Sequence, residues 1–476
     1  MEATNAPAVQ DSRSENVRRH YWLVAGIVGA AHLVLLILDT VYGAGFFRAD
    51  RAQQRFHAMQ AVLSAGNEPG ALLNALVSNG NIGDYGLQAA LYAAAGPLGV
   101  TLIQTLLAVP AVLCVVYIAQ RATGSRHIAL AAGLLYGLLP QSLAFPHQLL
   151  SEAVANPLLI FGTAALVRAL SAGSRWQHWL QGGLLMGLAG LVRPALVLLP
   201  LVSATLLVLL QRRHLDYAKL CAFIVAGFLP CVLWGSFMLS QTGKFGFGES
   251  NQDLGINFSQ STAKVLLDAG VARADGGAPD WLPLRLSLGE YVGFVRRYPA
   301  GFANLYFKNA VVLLSDSGIG RLYVDLLGFG AEARLKLQDP LTGWRAQLTN
   351  HGPMAMLRQG LIDAPGTIIA GVLGAGAFAF VNVGLALAYW WLLLRRRSPL
   401  WRAEGPLTQR WIIAFLLVLP LYVLATSQVV AYAPSRLRSQ GEFAWAVLAC
   451  IGWAEVVALL RARRALRQSA ASAPAT

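Results

Sequence analysis

Charge is scarce in this chain. Of its 476 residues only 13% are Asp, Glu, Lys or Arg, while 56% are hydrophobic. A soluble protein is roughly a quarter charged and just under half apolar. Acidic residues are the scarcer kind: 23 Asp and Glu stand against 37 Lys and Arg, a net charge of +14. Cysteine is nearly absent. Cys114, Cys221, Cys231 and Cys450 lie in apolar runs without metal-ligand spacing, which excludes a disulfide scaffold and leaves small buried hydrophobes. The stretch Met1–His20 has no apolar h-region, so it reads as a polar tail and not a cleaved signal peptide. No repeat of fixed period is visible, which weighs against a transporter made of inverted repeats.

What is present is apolar sequence in runs of about 20 residues, the length that carries a helix across a roughly 30 Å hydrocarbon core. The runs are 21–42, 100–120, 128–146, 152–170, 180–194, 195–211, 218–240, 368–394, 411–432 and 443–460. They exclude a soluble globular enzyme or a disordered chain. They disfavour a transmembrane barrel, whose strands alternate. The expected fold is an all-α polytopic membrane protein with about ten transmembrane helices and both termini inside. Stretch 180–211 is too long for one helix and holds Arg193-Pro194 at its middle, so it predicts two short helices meeting in a turn. Stretch 84–99 is amphipathic and predicts an interfacial or re-entrant segment.

The basic residues agree with this topology. Clusters such as Arg395–Arg397 and Arg461, Arg463 and Arg464 fall in segments expected inside, as cytoplasmic anchors do. Anchoring accounts for the net charge, and nucleic acid is not an expected partner. The chain then divides into a cytoplasmic tail (1–20), an N-terminal transmembrane region (21–240) with a first outer loop (43–99), an extracytoplasmic loop domain (241–367), a C-terminal transmembrane region (368–460) and a second cytoplasmic tail (461–476). Within the loop domain, Glu290–Leu314 mixes aromatic and basic residues as helices at a membrane interface do.

Charge in or beside the bilayer costs roughly 2.5–3.5 kcal/mol per residue at a helix centre. The charges that remain collect at the expected outer ends. Asp50 follows the first run, Asp84 opens the amphipathic stretch and Glu152 begins the fourth run. Arg193 sits at the break, and Arg436, Arg438 and Glu442 precede the last run. Carboxylates and guanidiniums on one face suit a site that holds an anionic lipid-linked phosphate and deprotonates an acceptor. Each has a plainer reading too. Asp50 suits a helix cap, and Arg436 and Arg438 suit headgroup contacts. Arg193 suits either a phosphate or an internal pair with Glu152 or Asp84. Glu152 reads as a structural residue at the outer end of its helix. His57 and His147 are assigned no role. No His, Asp or Glu cluster has metal spacing, so a divalent ion is not indicated. Without a Walker sequence or a nucleotide fingerprint, a nucleotide-sugar donor is not suggested.

Five pieces in fixed order carry a family resemblance. They are the acid of FFRADRAQQRFHAMQ (Asp50), then GDYGLQAALYAAAGPLG, LLPQSLAFPHQLLSEAVANPLL, GGLLMGLAGLVRPALVLLP and the SRLR before the last run. Together the sequence resembles the polytopic glycosyltransferases of the GT-C fold, among them the bacterial relatives of the protein O-mannosyltransferases and the lipid A aminoarabinose transferases. The resemblance implies a sugar donor carried on polyprenyl phosphate and transfer on the outer face of the cytoplasmic (inner) membrane, with inversion. It implies an envelope lipid, glycan or protein as acceptor, and no cofactor. It places Asp50 at the catalytic acid, Arg436 and Arg438 at the donor phosphate, with Arg193 beside them, and Asp84 and Glu152 in support. Gly86 stands where the family usually has Pro, no second acid follows Asp50, and Ser439-Gln440-Gly441 replaces the usual Leu-Pro-x. The alternatives are an O-antigen-type polymerase or ligase, a lipid or glycan transporter, and a scaffold that keeps the fold without the activity. An acid directly after the first span and the Leu-x-Arg-Pro segment favour the transferase over the polymerase. Charge at the outer ends, away from the midplane, favours it over the transporter.

Overall fold

The computed structural model describes residues 8–42, 60, 64, 86–171, 175–211, 215–243, 245–246, 250–271, 279–315, 318, 353–363, 365–394, 406–427 and 438–471. Among these residues there are helices and connections and no strand. The helices, in chain order, are α1 (Ala8–Tyr42), α2 (Leu87–Thr123), α3 (Arg126–Leu138), α4 (Pro140–Ala144), α5 (Glu152–Ala169), α6 (Trp176–Val192), α7 (Leu199–Gln211), α8 (Tyr217–Thr242), α9 (Ser250–Asp268), α10 (Leu288–Arg297), α11 (Pro299–Ser315), α12 (Pro353–Asp363), α13 (Pro365–Tyr389), α14 (Leu407–Ser427) and α15 (Glu442–Ala471).

Within the described residues each of the ten apolar runs is largely helical, but they do not all form full crossings. Among the described residues seven helices are long and apolar enough to span a membrane, or eight if a bent pair is one span. The bent pair is Arg126–Leu138 with Pro140–His147, at 58°. It breaks because Leu139 precedes a proline and takes extended ψ of 137°, which takes it out of the helix. The runs expected at 180–194 and 195–211 become α6, 17 residues, and α7, 13 residues. Between them Arg193 is extended (φ −138°, ψ 99°) and Pro194 opens a single 3-10 turn. Two short helices do meet at Arg193-Pro194, as the sequence predicts.

The amphipathic stretch 84–99, described from Gly86, is helical from Leu87 and is set off from the span that follows by non-helical backbone at Gly96 (φ 64°, ψ −170°), so α2 is two helices meeting at a kink. That backbone is open to glycine and closed to residues with a Cβ, and Pro97 follows it. Gly96-Pro97 therefore separates the amphipathic helix from the span that follows it.

Close backbone approach holds the centre of the bundle. α6 lies in a groove between α5 and α8, and small residues line all three. A Cβ on Gly187 would fall 2.2 Å from the Gly227 carbonyl, and one on Gly183 would fall 2.2 Å from the Phe223 carbonyl. In a bilayer, where burial of apolar surface between helices has little hydrophobic drive, such contacts supply the packing energy. α13 and α15 meet in the same way at Gly384 and Gly452, beside a Phe380–Trp453 stack with centroids 4.3 Å apart. α14 runs through the interior, where the fully buried Trp411 donates its indole N–H to the Ser203 carbonyl at 3.2 Å.

A second, smaller core lies outside the bundle. Phe258 and Val265 of α9, Leu286, Tyr291 of α10, and Phe302 and Leu305 of α11 pack together. A capping box at Ser287 and Glu290 starts α10. The end of α11 is tied to the bundle, since the Leu313 carbonyl accepts from Arg438 at 2.7 Å. This small core is part of the region that the sequence assigns to the 241–367 loop domain.

Gly187→Ala is expected to lower stability by about 1–3 kcal/mol, because α6 and α8 must part to admit the methyl. Gly26→Ala, where nothing lies within 4 Å of a new Cβ, is expected to leave the thermal unfolding midpoint in detergent unchanged or slightly raised. Equal midpoints for both variants would contradict the packing argument.

Candidate active site

One end of the bundle collects the buried charge. There the break after α6 meets the start of α5, the start of α15 and the α4–α5 connection, and four charged side chains form two ion pairs. Glu152, in the first turn of α5, is fully buried and pairs with Arg193, which is 8% exposed. The Ser151 hydroxyl donates to the other carboxylate oxygen at 3.1 Å. Arg193-Pro194 matters here twice. The proline ends α6, and the extended backbone that precedes it leaves Arg193 at the helix end next to Glu152. Of the readings open for Arg193, the structure realises the internal pair with Glu152, and Glu152 holds the end of its helix as expected.

The second pair is deeper. Arg438 is fully buried, and its Nε and Nη2 donate to Glu442 Oε1 at 3.3 and 3.1 Å. Its Nη1 donates to the Leu313 carbonyl at 2.7 Å. The guanidinium carbon lies 3.9 Å from the centre of the Phe378 ring, a cation–π contact in a dry setting. The Ser142 hydroxyl donates to the remaining oxygen of Glu442 at 3.3 Å. Arg438, expected to bind the donor phosphate, has Nε, Nη1 and Nη2 on protein acceptors and joins α15, α11 and α13. A buried guanidinium stripped of water takes the nearest carboxylate, and Glu442 lies one helical turn away.

Beside Glu152 lies a cavity of about 20 Å³, room for a single water molecule. Glu152, Ser142, Tyr136, Asn156 and His32 line part of it. His32 of α1 and His147 are buried, with Nδ1 and Nε2 3.0 Å apart and rings stacked at 5.3 Å. This contact ties α1, the helix that leads to Asp50, to the connection that leads to Glu152. Sequence reasoning missed it. The available signal was a histidine inside the apolar run 21–42, which needs a partner in that setting.

Asp50, Asp84 and Arg436 lie outside the described residues, as does His57. The structure therefore brings together Arg193 with Glu152 and Arg438 with Glu442. Among the described residues, no three His, Cys, Asp or Glu side chains gather as a metal site.

Residues 87–234 match the family model of dolichyl-phosphate-mannose-protein mannosyltransferases. The matched stretch holds Ser151-Glu152 and Arg193-Pro194, two of the pieces on which the GT-C resemblance rests. No curated protein matches. Among solved structures, an archaeal oligosaccharyltransferase, AglB from Archaeoglobus fulgidus, in complex with an inhibitory peptide and a dolichol-phosphate, is similar at a TM-score of 0.42 and 12% identity, over 94% of this chain and 52% of that one. The chain thus spans about half the length of that protein.

Arg193→Met strands a buried carboxylate and is expected to cost about 3–5 kcal/mol. The double variant Arg193→Met/Glu152→Gln removes both charges and is expected to recover part of that loss in thermal unfolding. A double variant as unstable as the sum of the two single variants would show that the pair is not coupled.

Proposed function

We propose that this protein is an integral-membrane glycosyltransferase that moves a sugar from a polyprenyl-phosphate carrier to an envelope lipid, glycan or protein on the outer face of the cytoplasmic membrane. The observation that carries the reading is the family match over 87–234, within which the motif residues Glu152 and Arg193 form a buried pair at the charged end of the bundle. A transferase that draws its donor from the bilayer needs a rigid wall at the membrane boundary, and the two ion pairs supply one.

In the proposed reaction the acceptor hydroxyl or amine attacks the anomeric carbon, and its proton passes to the Asp50 carboxylate. The bond from that carbon to the phosphate oxygen breaks, and polyprenyl phosphate leaves with the bond's electrons. Configuration inverts, because attack and departure occur on opposite faces of the sugar. Arg436 meets the phosphate directly. A guanidinium suits this task, since it binds two oxygens at once and keeps its charge. Arg438 and Arg193 act from behind it: held by Glu442 and Glu152, they add positive potential and fix the helix ends that frame the groove. Asp84 supports the acceptor side. No cofactor or divalent ion enters the scheme.

The test is donor turnover by the purified protein in nanodiscs, with a panel of polyprenyl phosphate-sugars and envelope lipids and glycans as acceptors. Release of free polyprenyl phosphate identifies both the class and the sugar. Asp50→Asn is expected to lower release by about a hundredfold or more, with expression and donor binding intact. Arg436→Ala is expected to raise the donor concentration needed for half-maximal rate by about tenfold. Wild-type rates in both variants would refute the site assignment, and no donor binding at all would refute the transferase reading.

A further inference from the structure

The small core beside the bundle leaves an apolar surface uncovered. On α11, Phe302, Leu305 and Leu313 face inward, whereas Phe307, Val311 and Leu314 are 69%, 46% and 38% exposed. Spacings of four and three place the exposed residues in one stripe along the helix. A second stripe runs from the segment before α10 along that helix: Trp281, Leu284, Leu288 and Val292, exposed by 58%, 88%, 64% and 38%. Arg296, one turn beyond Val292, continues it into charge, and Arg297 is exposed beside it. The capping box binds the Glu290 carboxylate to Ser287 at the opposite end of α10. The helix is therefore apolar along one side and basic at its end.

Two observations say what covers these stripes. The first is continuity. The Leu314 carbonyl accepts from Asn382 of α13, and Ala379 and Ala386, one turn to either side of Asn382, are exposed. α13 belongs to a helix long and apolar enough to cross a membrane. The stripe on α11 thus adjoins the exposed face of a helix of membrane-spanning length. The second is charge. Arg296 and Arg297 crown an aliphatic stripe, as cationic residues do on helices that lie in a leaflet with anionic headgroups. A sugar or a peptide acceptor fits this face less well, because Leu284, Leu288 and Val292 offer it no hydrogen-bonding group.

We propose that α10 and α11 form a docking surface for the membrane leaflet at this end of the bundle, with anionic phospholipid as the partner. α11 dips beside α13 with Phe307, Val311 and Leu314 among acyl chains. α10 lies at headgroup depth, Leu288 and Val292 turned into the leaflet and Arg296 and Arg297 on lipid phosphates. The small core is in this way held against the bilayer. The proposal does not depend on the transferase reading.

The test uses the full chain in nanodiscs of phosphatidylcholine alone or mixed with phosphatidylglycerol. Hydrogen exchange across 281–297 is expected to be about tenfold slower in the mixed discs. Arg296→Glu/Arg297→Glu is expected to abolish that difference, and Leu288→Asp to remove the protection in both discs. A photoreactive phospholipid is expected to label 284–292 and 307–314 in the wild type. These side chains are exposed, so the variants should fold, and unchanged exchange across α5 and α14 checks that they do. Exchange that is the same in both lipids together with no lipid labelling would overturn the proposal. So would protection seen only in discs that carry two copies, which would mark the face as an interface between chains.

Discussion

A charge without water must find its opposite charge, and the end of this bundle is organised by that constraint. Glu152 and Arg438 are fully buried, where a lone carboxylate or guanidinium would cost several kcal/mol. Each is answered by one partner, Arg193 and Glu442, and by a serine hydroxyl on the carboxylate of each pair. The helix ends have to converge for this to happen. α5 begins where α6 stops, and α15 begins where α11 ends. The proline breaks at Arg193-Pro194 and between α3 and α4 leave helix ends where this can happen.

The same constraint separates two kinds of arginine in a proposed donor site. A guanidinium locked to a buried carboxylate and a carbonyl is a poor direct ligand, because a phosphate would have to displace partners already at 2.7–3.3 Å. It remains a fixed positive charge near a groove, where low dielectric lengthens its reach. Arg193 and Arg438 fit that role, and their stiffness is what a site that must place an anomeric carbon requires.

The family match and the geometry address different questions. The match covers 87–234, roughly the helices from α2 into α8, and bears on chemistry. The geometry bears on mechanics: a core closed by glycine contacts among α5, α6 and α8, and a small outer core anchored through Leu313 and Leu314. α1 is fastened at two levels, by Tyr21 to Gln120 and by His32 to His147. The segment that follows α1 carries Asp50, so these two fastenings set where the chain toward it leaves the bundle.

Composition and local pattern alone determine a good deal of this protein. Continuous apolar runs dictate helices in a bilayer, because no other open structure satisfies the backbone there. Pro194 and Pro140 dictate where helices end, through sterics acting on one preceding residue. The concentration of charge at one end is legible for the same reason, since charge is excluded from the middle of spans. The pair of Arg193 with Glu152 is one of the readings the sequence offers, but the other partnerships were not legible. His32 and His147 are 115 positions apart, Arg438 and Leu313 are 125 apart, and Ser142 and Glu442 are 300 apart. Local pattern shows that each of these groups needs a partner. Only the packing of helices distant in sequence decides which one it receives, as it does in setting Arg438 against the Leu313 carbonyl.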